Sequence, residues 1–313
     1  MTKGLVLKST GSWYEVLTEK NERINARLKG VLRLEETKDT NPIAVGDKVL
    51  LQKEDDGQDW MIASVEERDN YIIRSSPKHK GARQVIAANI DQCLLIATID
   101  APRTSTGFID RFLMATEGFR IPVIIVFNKQ DLLDQKGLKK QEFTANLYSS
   151  IGYRTIFTSA TEKQGITELE ALLKDKTTLI FGHSGVGKSS LMNAIDSNLQ
   201  LKTNTLSRFS NRGMHTTTFA EMYLLKNGDK IIDTPGVREF GHYNIAPEEV
   251  SHYFVEMRER LNACKFNNCT HSYEPDCAVK AAWMNHEISD ERYKSYLNIY
   301  EEIKAHYKHW EQK

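Results

Sequence analysis

The chain lacks net charge. Its 313 residues carry 42 Lys+Arg and 42 Asp+Glu, so the total identifies no partner and only local asymmetry can. It also lacks a long apolar run. No stretch approaches the roughly 20 apolar residues a helix needs to cross a bilayer, which excludes a helical membrane protein. Met1-Thr2-Lys3 leads only into Leu5-Val6-Leu7, too short for the core of a signal peptide, and a cytoplasmic protein is expected. Internal repeats and low-complexity tracts are absent. Cysteine is scarce, four in all. Three of the four crowd between 264 and 277 beside a histidine, which in a reducing compartment suggests a metal before a disulfide.

What is present is an ordinary globular composition, 40% apolar and 9% aromatic, in a chain long enough for two or three domains. Charge is unevenly spread. Residues 1–35 hold Lys3, Lys8, Lys20, Arg23, Arg27, Lys29 and Arg33 against four glutamates, and residues 68–83 hold five cations against Asp69 alone. From 197 to 220 there is no acid at all. These are candidate phosphate-facing surfaces, and solvated faces are the ordinary alternative.

Residues 4–8, 13–17, 24–28, 48–52 and 60–65 carry period-two or fully apolar patterns separated by turn residues, so residues 1–69 read as a small β-barrel. The OB type leads, and an SH3-like barrel stays open. Residues 70–88 are basic without a clear period and read as a linker. From 89 to 244, apolar strands at 92–99, 122–127, 155–157 and 178–181 alternate with helical segments at 108–119, 141–151, 166–173 and 188–195. That alternation predicts an α/β domain whose parallel sheet is covered on both faces. Two further strands, 220–225 and 230–233, meet at an Asn227-Gly228 turn. Residues 245–313 change character: a helix over 247–261, a Cys/His loop, and a final helix with a stripe of Tyr293, Tyr296, Leu297, Tyr300, Ile303, Tyr307 and Trp310, read as core.

Six motifs carry chemistry. Gly182-His183-Ser184-Gly185-Val186-Gly187-Lys188-Ser189 follows a predicted strand and opens a predicted helix, the setting a phosphate-binding loop requires. Its glycines let backbone N–H groups face phosphates, Lys188 would reach the β- and γ-phosphates, and the Ser189 hydroxyl would bind Mg²⁺. Asp233-Thr234-Pro235-Gly236 ends a strand downstream, where Asp233 would hold Mg²⁺ and Gly236 would offer an N–H near the γ-phosphate. Asn128-Lys129-Gln130-Asp131 follows the 122–127 strand. The Asp131 carboxylate can accept from both the N1–H and the exocyclic amine of guanine, a donor pair adenine lacks. Thr158-Ser159-Ala160 would add a backbone donor to the guanine oxygen. Between the phosphate loop and Asp233 lies Arg212-Gly213-Met214-His215-Thr216-Thr217-Thr218, where one threonine would complete the Mg²⁺ shell. Finally, Cys264, Cys269, His271 and Cys277 offer three thiolates and an imidazole. That is a closed tetrahedral zinc set, structural because no position is left for a water to be activated. Cys93 reads as core.

The guanine motif precedes the phosphate loop, so the G domain is circularly permuted. The order NKQD, TSA, GHSGVGKSS, HTTT, DTPG and then the Cys/His knot resembles the bacterial small-ribosomal-subunit biogenesis GTPases, the ribosome-small-subunit-dependent GTPase A family, over essentially the whole chain. The resemblance implies an OB-fold (1–69), a linker (70–88), a permuted G domain (89–244) and a helical zinc domain (245–313). It implies a cytoplasmic monomer that hydrolyses GTP to GDP on the maturing 30S subunit, touches 16S rRNA through barrel and zinc domains, and carries one structural Zn²⁺ together with Mg²⁺·GTP. It carries over Asn128, Lys129 and Asp131 for guanine, Gly182 through Ser190 for phosphates, and the Cys/His quartet for zinc. A metabolic P-loop enzyme with an accessory zinc fold, or a nucleic-acid module that merely retains nucleotide, are the alternatives. The Asn-Lys-x-Asp motif opposes the first and the complete phosphate set opposes the second.

Val237 occupies the place where Ras-type GTPases put a water-orienting glutamine, so slow hydrolysis by the lone protein is expected. His215, His242 or a group from the ribosome would supply what is missing, with Lys188, Thr217 and Thr218 in the catalytic set and Arg212 as a charge-neutralising finger. Because Gly236 lies close in sequence to residue 247, movement of the DTPG segment should pull on the zinc domain.

Overall fold

The computed structural model describes residues 1–11, 13–28, 42–54, 59–75, 83–201, 220–234 and 245–311. Strands β1 (Thr2–Ser9), β2 (Tyr14–Thr18), β3 (Arg23–Leu28), β4 (Lys48–Lys53) and β5 (Trp60–Val65) form the N-terminal barrel. β1 pairs with β2, β2 with β3, β3 with β5, β5 with β4, and β4 back to β1, so the circuit closes. This order is the OB-type Greek key, which settles the choice between barrel types. Alternate residues Val6, Tyr14, Val16, Ala26, Val49, Leu51 and Ile62 fill its interior.

Residues 70–88, expected as a linker, hold a two-stranded antiparallel sheet, β6 (Tyr71–Ser75) with β7 (Arg83–Ala88). The register shifts between Ile72 and Ile73, so both consecutive isoleucines are buried. A bulge of this kind erases the period-two signal.

The G domain is a sheet of β8 (Gln92–Ala97), β9 (Val123–Phe127), β10 (Arg154–Phe157), β11 (Thr177–Phe181), β12 (Glu221–Leu224) and β13 (Lys230–Asp233) in the order β10-β9-β8-β11-β13-β12. All pairings are parallel except β12 with β13. Alternation sorts the strand residues onto two faces. Leu94, Ile96, Ile124, Val126, Ile180 and Ile231 pack under α3 (Ile166–Leu173) and α4 (Lys188–Ile195). Cys93, Leu95, Ala97, Ile125, Phe127 and Phe181 pack under α1 (Thr106–Gly118) and α2 (Gln135–Ser149). Helix α2 begins six residues before the expected 141, because Asp134 caps it by accepting from Gly137 N at 2.7 Å and its first turn has no apolar stripe to betray it.

The sheet does not stop at β12. Barrel strand β1 pairs with it antiparallel, Lys8 opposite Glu221, and Lys8 Nζ donates to Glu221 Oε2 at 3.0 Å. The barrel is thus hydrogen-bonded to the strand that directly follows 202–219.

In the C-terminal domain the expected 247–261 helix is broken. A 3-10 helix, Pro247–Tyr253, gives way at Phe254 to the short α5 (Val255–Arg258). Phe254 is extended and turns its ring edge-on against Tyr296 at 5.5 Å. A helix absent from the sequence reading, α6 (Ala278–Met284), starts where Cys277 Sγ accepts from Lys280 N. The long α7 (Asp290–Glu311) buries Tyr293, Tyr296, Tyr300 and Ile303 as expected, while Tyr307 is exposed. Met114 of α1 joins this core, and a buried ion cluster crosses the same junction. Arg292 donates to Asp110 at 2.7 Å and to Glu256 at 2.7 and 3.0 Å, and its guanidinium lies 4.5 Å above the Phe254 ring.

Candidate nucleotide site and metal centre

In a parallel sheet, ligands bind beyond the carboxyl ends of the strands. The registers Phe157↔Phe127, Ala97↔Phe127, Phe181↔Leu95 and Ile180↔Asp233 bring the ends of β10, β9, β8, β11 and β13 to one edge. Four motifs separated in sequence therefore emerge side by side.

Their centre is Asn128, which is buried. Its Nδ2 donates to Val186 O of the phosphate loop at 2.8 Å, and its Oδ1 accepts from Thr158 Oγ1 at 3.1 Å. One amide thus ties the guanine loop to the phosphate loop and to the Thr158-Ser159-Ala160 turn. Gly187 has φ of 98°, and a Cβ there would lie 2.4 Å from Asn128 Nδ2, so close approach and left-handed backbone both demand glycine. Gly182 is likewise constrained, since its Cβ would meet Ile96 O at 2.3 Å.

Lys129 takes the left-handed conformation and donates from Nζ to Ala101 O at 2.7 Å. Burial lowers its pKa, against the pull of Asp131. Asp131 itself sits exposed on the short 3-10 turn Gln130–Leu132, its carboxylate open to a ligand. Gln130 N donates to Thr158 O at 3.2 Å. Ser159 N–H bonds Gln164 O, and Ser159 Oγ accepts from Glu162 N, while the adjoining Ala160 is half-buried.

Lys188 Nζ donates to the carbonyls of Gly182 at 2.7 Å and His183 at 3.0 Å. Burial lowers its pKa, opposed by Asp233. The His183 ring stacks on Phe108 of α1 with centroids 3.7 Å apart, and burial followed by the Lys188 charge holds its pKa down. Ser184 and Gly185 are exposed at the loop tip, with Ser189 and Ser190 half-buried on the first turn of α4. Burial raises the Asp233 pKa, opposed by Lys188. Asp233 Oδ1 and Thr234 Oγ1 are buried with no hydrogen-bond partner among the described residues. An orphaned carboxylate oxygen beside a phosphate loop, with the Ser189 hydroxyl near the same loop, suits a hard cation such as Mg²⁺.

Gly236, Val237 and His242, together with Arg212, His215, Thr216, Thr217 and Thr218, lie outside the described residues. The sequence reading overlooked the loop after β8. Ala101 accepts from Lys129, and Pro102 Cδ lies 3.5 Å from where a Cβ of Gly185 would sit. Its place at the carboxyl end of a predicted parallel strand is the signal that could have found it.

At the other end, Cys264, Cys269, His271 and Cys277 place one ligand atom each within 4.8 Å of one another. His271 Nδ1 is 3.3 Å from Cys277 Sγ and 3.6 Å from Cys264 Sγ, and the Cys264 and Cys277 sulfurs are 3.9 Å apart. A tetrahedron with Zn–S bonds of about 2.3 Å has edges of about 3.8 Å, so the quartet fits zinc. Burial pushes the Cys269 thiol up to about 12, and a bound cation would favour its thiolate. The hydroxyls of Tyr293 and Tyr296 bond the carbonyls of His271 and Thr270, fixing the loop to α7.

Residues 65–243 match the family described as RsgA GTPase, and residues 3–61 match the RsgA N-terminal domain. The chain belongs to the RsgA GTPase family. It is 46% identical over 300 residues to "Small ribosomal subunit biogenesis GTPase RsgA 2" of Bacteroides thetaiotaomicron, covering 96% of each chain. It is also 46% identical to the protein of that name, without the numeral, from Flavobacterium johnsoniae, covering 97% of this chain and 94% of the relative. Among solved structures it is similar to YjeQ from Thermotoga maritima, with a TM-score of 0.78, 35% identity, and coverage of 96% of this chain and 98% of that one. It is also similar to YloQ, a circularly permuted GTPase, with a TM-score of 0.74, 31% identity, and coverage of 98% and 96%. The barrel and the permuted order are family features of this chain. Among the described residues, no helix is long and apolar enough to cross a membrane.

Proposed function

We propose that this chain hydrolyses GTP while bound to the small (30S) ribosomal subunit and couples that hydrolysis to late subunit maturation. The carrying observation is Asn128, which links the guanine loop, the Thr158-Ser159-Ala160 turn and the phosphate loop into one site. The curated relatives named for small-subunit biogenesis supply the partner.

Asp131 accepts the two guanine donors, the Lys129 stem covers the ring, and Ala160 offers its N–H to the guanine oxygen. The amides of Gly182 through Gly187 surround the phosphates, Lys188 leaves its carbonyl partners for the β- and γ-oxygens, and Ser189 with Asp233 holds the cation. When bound, Mg²⁺ neutralises charge on the β- and γ-phosphate oxygens. Water adds to the γ-phosphorus as the bond to the β-phosphate oxygen breaks, giving GDP and phosphate. One of Thr216, Thr217 and Thr218 completes the cation shell. Val237 cannot orient the water, so His215, His242 or a group on the subunit does so in the docked complex. The barrel and zinc domains contact 16S rRNA. Cys264, Cys269, His271 and Cys277 would fill all four positions of a zinc ion, which would hold the C-terminal fold together.

Turnover of GTP by the purified protein, measured alone, with 30S and with 50S subunits, tests this reading. A rise on the order of 10³–10⁵-fold with 30S alone is expected, within the range of completed GTPase sites. Equal turnover in all three samples would refute it.

A further inference from the structure

Helix α2 carries a face that neither the nucleotide site nor the core uses. Lys136, Lys139, Lys140 and Phe143 stand at i, i+3, i+4 and i+7, within an arc of about 100° at 3.6 residues per turn. All four are exposed, Phe143 at 61%. The opposite face buries Gly137, Gln141, Thr144, Ala145 and Tyr148, so the orientation of the stripe is fixed by the core.

Local electrostatics oppose this arrangement. Cations at a helix N-terminus face the positive end of the macrodipole, and Lys136 has like-charged neighbours three and four residues on. No acid lies in the first turn. Asp134, just before it, is occupied in capping Gly137 N. Glu142 is the helix's only acid, and among the described residues no ion pair joins it or any acid to the three lysines. An isolated helix would be steadier with these charges removed, and a phenylalanine on that surface contributes nothing to the core. Unpaired cations beside an exposed aromatic ring match the chemistry of unpaired RNA, in which phosphates meet ammonium groups and a base stacks on the ring. The sheet order puts β10 and β9 at the edge farthest from the barrel, and α2 lies between them in the chain, so this face is separate from any barrel contact.

We propose that the Lys136–Lys139–Lys140–Phe143 face of α2 is an RNA-docking surface of the G domain, binding a single-stranded or loop segment of ribosomal RNA. This rests on the 30S reading above, and the test separates the two. Binding of the full-length protein with a non-hydrolysable GTP analogue is titrated against 30S subunits and against an unstructured RNA 30-mer over a range of salt. Parent protein is compared with the triple variant Lys136→Ala/Lys139→Ala/Lys140→Ala and with Phe143→Ala. The expected triple variant binds about tenfold to a hundredfold more weakly, with its salt slope reduced by about two to three, the loss of roughly 0.7–0.9 per phosphate contact. Phe143→Ala should bind about tenfold more weakly with an unchanged slope, as for loss of one stacked base. Both should keep the parent's GTP affinity and unstimulated turnover, and the lysine variant should melt no lower than the parent. A photo-crosslinker at position 143 should capture RNA. Parent-like affinity and salt slope in the variants would overturn the proposal, as would capture of a ribosomal protein by the crosslinker. If the parent protein fails to bind 30S at all, the 30S reading falls and the RNA 30-mer alone decides this one.

Discussion

Arg292→Met should cut the seam between the G domain and the C-terminal domain. The guanidinium is nearly inaccessible, at 1% exposure, and makes three hydrogen bonds of 2.7, 2.7 and 3.0 Å to Asp110 of α1 and Glu256 of α5. Methionine removes the guanidinium, which lies 4.5 Å above the Phe254 ring, and leaves two buried carboxylates without their cation. Removing one partner of a buried ion cluster costs about 3–5 kcal/mol, and at roughly 2–4 °C per kcal/mol that is a fall in Tm of about 6–20 °C. The cost should depend on pH. Burial already raises the Asp110 pKa, with Arg292 pulling the other way, so the variant raises it further. A carboxyl whose folded pKa lies above its unfolded value destabilises the fold at high pH, and the penalty shrinks as pH falls through the folded pKa toward the ordinary carboxylate range. Calorimetric melting at pH 8 and pH 5 should therefore show the larger loss at pH 8. Adding Asp110→Asn and Glu256→Gln should recover at least half of it, because Tyr148 Oη still has an amide oxygen to bond where it now bonds Asp110 at 2.9 Å. A loss under 1 kcal/mol, or one that grows on acidification, would refute the argument.

Other outcomes follow from the site. Asp131→Asn exchanges an acceptor for a donor, so GDP should bind roughly a hundredfold more weakly while XDP gains; calorimetric titration with both nucleotides would expose an unchanged preference. Gly187→Ala forces a methyl to within 2.4 Å of Asn128 Nδ2 at a φ of 98°. Nucleotide binding should be lost with the barrel and zinc domain still folded, and a fluorescent GDP analogue binding at parental affinity would contradict that. Cys264→Ser should remove about one zinc per chain, as read by elemental analysis, and open the region beyond residue 247 to protease; a parent protein that holds no zinc would end the structural-zinc reading.

The sequence alone determined what is local and what is chemical. Phosphate-loop glycines, a carboxylate after a buried strand and the Cys/His quartet each point to a chemistry through residue type and short spacing. Alternation in continuous apolar strands fixed a two-sided parallel sheet. Where two patterns overlap, local reading failed. The bulge at Ile72 and Ile73 hid a strand pair in a basic stretch, the lysine-rich start of α2 hid six helical residues, and the extended Phe254 broke a helix that its periodicity supported. Tertiary structure alone decided the contacts between elements far apart in the chain. No pattern in residues 1–10 or 220–225 foretells that β1 would bond β12 and carry the sheet into the barrel, since an edge strand's unpaired groups accept any strand that fits. Nothing near Arg292 announces Asp110, 182 residues away. A buried guanidinium must find carboxylates, but which ones depends on how α7 packs across α1, and that packing is set by the shape of both cores together.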